Sequence, residues 1–407
     1  MALLGCGGPG RRPCPLARLT ARVLSFPLLS EITPSLRSFL DTSGAPTPYV
    51  VVDVDVVAQR YRELCSVLPA AKALFAVKAN PAEPIIRRLV ALGSGFDIAS
   101  PAEIDLCLAA GAEPSVISYG NTIKKRSDIA YALDHGVNTF TVDSREELEK
   151  IASLTDDAEI CVRLWHDCGG ADWPLSRKFG TGPSECERLV RAALSHGFRA
   201  GMSFHVGSQQ RSPYAWDTPL RTVGHIRESL RADGLDLSFV NLGGGFPGSY
   251  ADPVAPIAEY GREISASVDR WVGTDLQLYM EPGRYLVADA GVLRAEVILV
   301  SQRDIDERRW VYLDCGVFHG LAETLDEAIA YRVRAARNSG RHESVVLAGP
   351  TCDSMDVLYE KNDVRLPVDL TEGDHVEFLS AGAYTTMYSS VGFNGIAPLA
   401  EHYVNAD

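Results

Sequence analysis

The stretch Leu74-Phe75-Ala76-Val77-Lys78-Ala79-Asn80 decides how the rest of the chain is read. Its apolar run is short enough for a strand covered on both faces, as the strands of parallel sheets are. The run closes on a lysine, a residue rarely buried without a partner. Lys78 therefore either snorkels to the surface or stands at the strand end for chemistry. The residues that follow favour chemistry. Further strands come after it, each ending in polar residues, and eight-stranded barrels carry their reactions at the carboxyl ends of their strands.

The pattern predicts strands over Leu74–Asn80, Gly95–Ser100, Ser115–Asn121, Thr139–Ser144, Glu159–His166, Ala200–Ser208, Ser238–Gly245 and Gln277–Tyr285. Between them lie helical patterns at Glu83–Leu92, Ala102–Ala110, Lys125–Leu133, Arg145–Leu154, Glu185–Ser195, Leu220–Ala232 and Pro256–Val272. Alternation of this kind implies a parallel sheet. Eight strands over about 210 residues suit an α/β fold of (β/α)8 TIM type. A doubly wound sheet is the alternative, but no GxGxxG opens the first helix. After Tyr285 the rhythm changes. Val292–Ser301, Trp310–Leu313, Glu343–Leu347, Asp374–Leu379 and His402–Val404 read as strands with no regular helices between them. The expected division is a disordered leader over 1–28, then a segment 29–52 that packs on the β-domain. That segment carries a helix near Ser30–Leu40 and a strand at Tyr49–Val54. A barrel over 53–286 and an all-β domain over 287–407 complete it.

The 407 residues carry 39 Lys and Arg against 53 Asp and Glu, a net charge of -14. That balance argues against nucleic-acid or anionic-membrane partners. The nine cysteines are odd in number and form no metal-type CxxC pairs, so a reduced, cytoplasmic protein without a metal site is expected. No apolar run approaches the length of a membrane span. Met1–Arg22 lacks the continuous apolar core of a signal peptide.

Three features point to a phosphate at the barrel mouth. Gly243-Gly244-Gly245 follows the seventh strand, and consecutive glycines let backbone N–H groups approach an anion. A tight turn would explain the glycines alone equally well. Phosphate sites are common after strands seven and eight of this barrel. Glu281-Pro282-Gly283-Arg284 puts an anion and a cation at the end of the eighth strand, where a surface salt bridge is the plainer alternative. His205-Val206-Gly207-Ser208 ends the sixth. A lysine, a phosphate cradle, a carboxylate and an imidazole at one mouth suit pyridoxal 5'-phosphate. The lysine forms a Schiff base with the aldehyde. A carboxylate beside the pyridine nitrogen stabilises the protonated ring, arginine and backbone amides hold the phosphate, and a flat imidazole can stack on the ring.

These motifs carry a family resemblance. FAVKAN (75–80), GFDIASPAEI (95–104), SFHVGSQ (203–209), NLGGGFPGS (241–249), EPGRY (281–285), GPTCDSMD (349–356), GAYT (382–385) and FNG (393–395) together resemble the ornithine/lysine/diaminopimelate decarboxylases of the alanine-racemase-like barrel fold. The likeness runs from about Tyr49 to Val404 and is nearest the bacterial ornithine decarboxylases. It implies that Lys78 carries the cofactor, that His205 stacks on its ring and that Glu281 pairs with the ring nitrogen. Ser208, Gly243, Gly244, Gly245, Arg284 and Tyr384 would hold the phosphate, with Arg163 nearby. Cys352 and Asp353 match a catalytic pair that a partner subunit inserts into the site, so a homodimer with two shared sites is implied. Read by itself, Cys352 is a small buried hydrophobe. In the turn-like Gly349–Asp353 it can also return a proton to the substrate α-carbon.

The substrate tail is read from the acids. Asp353 after Cys352 is the ornithine-type choice, where diaminopimelate enzymes carry glutamate. Phe393-Asn394-Gly395 is also ornithine-like. In Gly316–Glu327 the chain departs from the Tyr-Asp pair of eukaryotic relatives. Glu323 and Asp326 are the favoured readers of a distal amine, with Glu327 a further acid. The resemblance implies decarboxylation of a basic L-amino acid, ornithine first, to putrescine and CO2 in polyamine synthesis. The alternatives are a lysine, diaminopimelate or specialised diamino-acid decarboxylase, or a non-catalytic homologue of antizyme-inhibitor type. A racemase is disfavoured, because Asn80-Pro81-Ala82-Glu83 stands where alanine racemases continue with YGHG.

Overall fold

The computed structural model describes residues 32–173, 175, 177–337 and 340–406. The expected leader, 1–28, lies outside them. Eight parallel strands close into a barrel: Ala71–Ala76, Gly95–Ile98, Ile117–Tyr119, Thr139–Val142, Glu159–Arg163, Arg199–Ser203, Phe239–Asn241 and Gln277–Met280. Each matches one of the eight predicted strands, and all begin or end a few residues inside the predicted bounds or beside them. Their side chains are almost all buried, as expected for strands with helices outside and a packed interior. The helix Pro101–Ala109 shows how strand turns to helix locally. Ser100 caps it, its Oγ accepting the Glu103 N–H at 3.4 Å, while Glu103 reaches back to the Ala99 N–H at 2.6 Å. These two contacts, one to the serine cap and one from the residue before it, fix the turn directly above the strand end.

The first strand is shorter than predicted. Pairing stops at Ala76, and Val77–Ala79 winds into a single tight turn closed by the Asn80 N–H on the Val77 carbonyl, 3.1 Å. Asn80 is fully buried, with Nδ2 donating to the Gly382 carbonyl at 3.0 Å. Lys78 therefore sits on the turn above the strand, over the mouth.

One helix escaped the sequence pattern. Val54–Val67 follows the strand Tyr49–Asp53 without a break, and Asp53 caps it through the Asp55 N–H at 3.1 Å. The expected strand ended at Val54 with no helix after it; the Asp53 cap starts the helix at that point.

The second sheet has eight strands. Gly291–Gln302, Arg309–Leu313, Arg332–Ala335, His342–Ala348, Val357–Pro367 and His375–Leu379 form its main path. Tyr49–Asp53 joins it, antiparallel to Gly291–Arg294 on one side and parallel to Ala400–Val404 on the other. The helix Pro34–Thr42 packs Leu36 and Leu40 on Tyr49, Val51, Val292 and Leu379. Arg332–Ala335 and Val357–Pro367 were not predicted. Their charged residues, such as the largely exposed Glu360–Asp363, mask the strand period. Among the described residues no helix is long and apolar enough to cross a membrane.

Candidate active site

The carboxyl ends of the barrel strands bring the predicted groups together. Lys78 Nζ lies 2.8 Å from Asp97 Oδ2, at the end of the neighbouring strand. About half of the lysine side chain (51%) is open to the mouth. Burial alone would lower the Lys78 pKa, but Asp97, with Tyr384 and Glu281 behind it, raises it above the ordinary lysine value. Asp97 was not singled out from the sequence. Its signal was there: Ala76 and Asp97 stand in register in the parallel pair, so a lone acid in GFDI faces whatever follows Ala76.

Glu281 follows the eighth strand. Asn241 Nδ2 donates to its Oε1 at 2.6 Å, and Asn241 Oδ1 accepts the Gly243 N–H at 3.0 Å. One amide thus links the carboxylate to the glycine turn. Burial, reinforced by Asp97, raises the Glu281 carboxyl to about 7, while Lys78 and Arg163 pull it down. Arg163 closes the fifth strand with its guanidinium over the Phe179 ring, 5.6 Å away. His205 is held by the Gly207 N–H, which donates to Nδ1 at 2.9 Å, so the ring proton of the neutral imidazole is on Nε2. Burial, then Arg163 and Lys78, lower its pKa well below the usual histidine value. It is a neutral, flat ring at neutral pH.

The glycine turn is built for close approach. Gly243 and Gly245 have φ of 66° and 107°, conformations that side chains with a Cβ rarely adopt. A Cβ on Gly244 would come within 2.7 Å of the Glu281 carbonyl and 3.0 Å of His205 Nε2. Among the described residues the N–H groups of Gly244 and Gly245 find no acceptor. Arg284 stands on the other side. Its Nε and Nη2 donate to Ser208 Oγ at 3.1 and 3.0 Å, its Nη1 donates to the Tyr250 hydroxyl at 2.8 Å, and its guanidinium lies 4.8 Å from the Tyr384 ring centre. N–H groups without an acceptor among the described residues, an arginine and a serine hydroxyl around a cradle that a Cβ would fill fit a phosphate. The lysine, the carboxylate and the flat imidazole beside it fit the rest of pyridoxal phosphate.

The acids of the substrate tail separate. Glu323 and Glu327 lie on the short turn Ala322–Glu327, which is no regular helix: Asp326 and Glu327 have φ of 52° and 59°. Glu323 is buried, and both its oxygens are taken by Arg284, at 2.6 and 2.8 Å. Glu323 thus lies against Arg284, with both carboxylate oxygens committed to that guanidinium. Glu327 accepts three strand N–H groups, those of Glu360, Lys361 and Asn362, at 2.7–2.9 Å. Asp326 is exposed and makes no ion pair or hydrogen bond among the described residues. Cys352 and Asp353 are not at this mouth. They occupy an exposed turn after His342–Ala348, where Asp353 Oδ1 accepts the Met355 N–H at 2.9 Å. The described cysteines are all free thiols, and the described residues hold no group of metal-ligating side chains.

Comparison with known proteins agrees with this chemistry. Residues 54–288, more than half of the chain, match the pyridoxal-dependent decarboxylase pyridoxal-binding domain. A lysine/ornithine decarboxylase of Selenomonas ruminantium is 32% identical over 352 residues, covering 86% of this chain and 88% of its own. The crystal structure of the lysine/ornithine decarboxylase of Vibrio vulnificus, solved with cadaverine, superposes with a TM-score of 0.82 at 31% identity, over 92% of this chain and 100% of that one. Antizyme inhibitor 2 of Xenopus laevis is 32% identical over 371 residues, 87% of this chain and 80% of its own. With its closed barrel, its mouth lysine and its phosphate cradle, the chain belongs to the pyridoxal-dependent decarboxylases whose barrel domain binds pyridoxal phosphate.

Proposed function

We propose that the protein decarboxylates a basic L-amino acid, ornithine first and lysine second, releasing CO2 and a diamine. The observation that carries this reading is the sorting of the three acids. Glu323 is committed to Arg284 and Glu327 to the strand backbone, which leaves Asp326 exposed and without an ion pair among the described residues, three positions along the chain from the partner of Arg284. A free carboxylate there suits an ammonium at the far end of the substrate. The Vibrio relative was solved with both cadaverine and putrescine, diamines with such an end.

Bound at this mouth, pyridoxal phosphate supplies a ring that accepts the electron pair left when the carboxylate departs. The chain's own residues set the conditions. Lys78 Nζ is the attachment point, held by Asp97. Glu281 would set a carboxylate beside the ring nitrogen and favour its protonated form. His205 offers a neutral face and takes no charge. Gly244, Gly245, Ser208, Arg284 and Tyr384 would hold the phosphate end. Cys352, delivered by a second copy of the chain together with Asp353, returns the proton. The homodimer with shared sites, the cytoplasmic location and a place in polyamine synthesis belong to the same proposal. The non-catalytic alternative, raised by the likeness to antizyme inhibitor 2, is disfavoured by the intact set Lys78, Glu281, Arg284 and Cys352.

The test is CO2 release from ornithine, lysine, arginine and meso-diaminopimelate. Ornithine or lysine should be turned over far faster than meso-diaminopimelate, which carries a second carboxylate beside its distal ammonium and would set that anion against the acids of the site. The reverse ranking would overturn the reading, and no release from any of the four would favour the non-catalytic one.

A further inference from the structure

Cys352 is an exposed residue in a turn, yet it is not loosely held. Asp356, buried at the end of that turn, accepts the Thr351 N–H and hydroxyl on Oδ2, at 3.0 and 2.7 Å, and the Val317 N–H on Oδ1, at 2.8 Å. This fixes the start of the turn to the Gly316–Leu321 loop. The residue that touches Cys352 itself comes from much later in the chain. Asn394 Oδ1 accepts the Cys352 N–H at 3.0 Å, and Asn394 Nδ2 lies 3.4 Å from Cys352 Sγ as donor.

The backbone N–H can only donate, so it selects the amide oxygen and leaves the NH2 group to face the sulfur. The sulfur then accepts, and its own S–H is free to point elsewhere. Asn394 reaches this position from a left-handed backbone, φ 51° and ψ 16°, which asparagine tolerates better than most residues. Its neighbour Phe393 packs on Phe318 with ring centres 4.7 Å apart, on the same Gly316–Leu321 loop that Asp356 holds. Turn, loop and amide are thus braced together around one thiol.

We propose that Asn394 is the positioning residue of the Cys352 thiol, gripping its backbone and its sulfur with one amide so that the S–H is presented to the reacting carbon. The inference rests on Cys352 being the proton donor.

The test uses two variants that keep the left-handed turn. Asn394→Gly removes the amide without straining the left-handed turn. Asn394→Asp keeps an acceptor for the Cys352 N–H but sets an anion against the sulfur. In the cofactor-free dimer, alkylation of Cys352 by iodoacetamide at pH 7.5 is followed by mass spectrometry. A side-chain N–H facing sulfur favours its anionic, reactive form. Asn394→Gly should slow alkylation by about two- to tenfold, the factor for one hydrogen bond of ordinary net strength. Asn394→Asp should slow it further. In the loaded enzyme kcat should fall by about tenfold with KM near native, because a misplaced acid slows only the step it serves. The absorbance of the bound cofactor should not change. A native or faster alkylation rate in Asn394→Gly overturns the proposal, and so does a raised KM at native kcat, which would put Asn394 on the substrate. The alkylation arm needs no substrate. If native protein releases no CO2 from any amino acid, the functional reading fails while the hold of Asn394 on Cys352 is still decided.

Discussion

The Lys78 ammonium, on the turn after one barrel strand, and the Asp97 carboxylate, on the parallel strand beside it, stand 2.8 Å apart. The pair keeps the lysine protonated and parked before the cofactor arrives. To join an aldehyde, Lys78 must give up that proton. Asp97→Asn should therefore move the pH at which the cofactor-free protein captures pyridoxal phosphate downwards. Absorbance during titration checks the shift. Borohydride followed by mass spectrometry should find the adduct on Lys78 in both proteins. An upward shift, or an adduct on another lysine, would contradict the role given to the pair.

Glu281 gives a stability signature. Burial raises its folded-state pKa from 4.5 to about 7. Between those values the unfolded chain is ionised and the folded one protonated, so stability falls as pH rises through that window and levels off above it. Glu281→Gln removes this cost. The cofactor-free variant should melt above native protein at pH 8, by on the order of 1–3 kcal/mol, and the gap should close near pH 4. Loaded with cofactor, the order should invert, because the ring nitrogen then lacks its anion.

The sorting of acids predicts two different phenotypes from neighbouring residues. Asp326→Asn should raise KM for ornithine and lysine by about 10- to 100-fold, the usual worth of a hydrogen bond to a charge. Glu323→Ala should instead leave Arg284 buried without its partner and lower stability by about 3–5 kcal/mol, as when other buried pairs are broken. Steady-state kinetics and thermal melts of both variants distinguish the assignments.

Shared sites are tested by mixing. Lys78→Ala and Cys352→Ala should each be nearly inactive. After subunit exchange about half of the dimers are mixed, and each has one site with both native residues, so activity should return to about a quarter of native. No recovery, with exchange verified by differently tagged chains, would mean that Cys352 acts within its own subunit.

The barrel was legible because its strands are apolar runs with one polar end, and both signals are local. The lysine, the glycine turn and Arg284 were legible for the same reason. Asp97 and Asn241 were not, because what they do depends on lateral register: one is level with Ala76, and the other lies next to Glu281 on the adjacent strand. Which of Glu323, Asp326 and Glu327 is free was not legible, because two left-handed residues break the turn and send the three carboxylates to an arginine, to the exposed surface and to a strand edge. Tyr250, which helps hold Arg284, stands beyond the glycine motif in a stretch without periodic signal.

The strand Tyr49–Asp53 has a consequence for how the protein is made. It is buried along its whole length, and its two partners are Gly291–Arg294 and Ala400–Val404. A ribosome delivers both only after the entire barrel has emerged. During synthesis the three adjacent valines Val50, Val51 and Val52 therefore wait with both edges open, the kind of segment that recruits foreign strands. The β-domain closes late, around a strand that was translated first. Chains stalled inside the barrel should depend on chaperones that cover this one sequence.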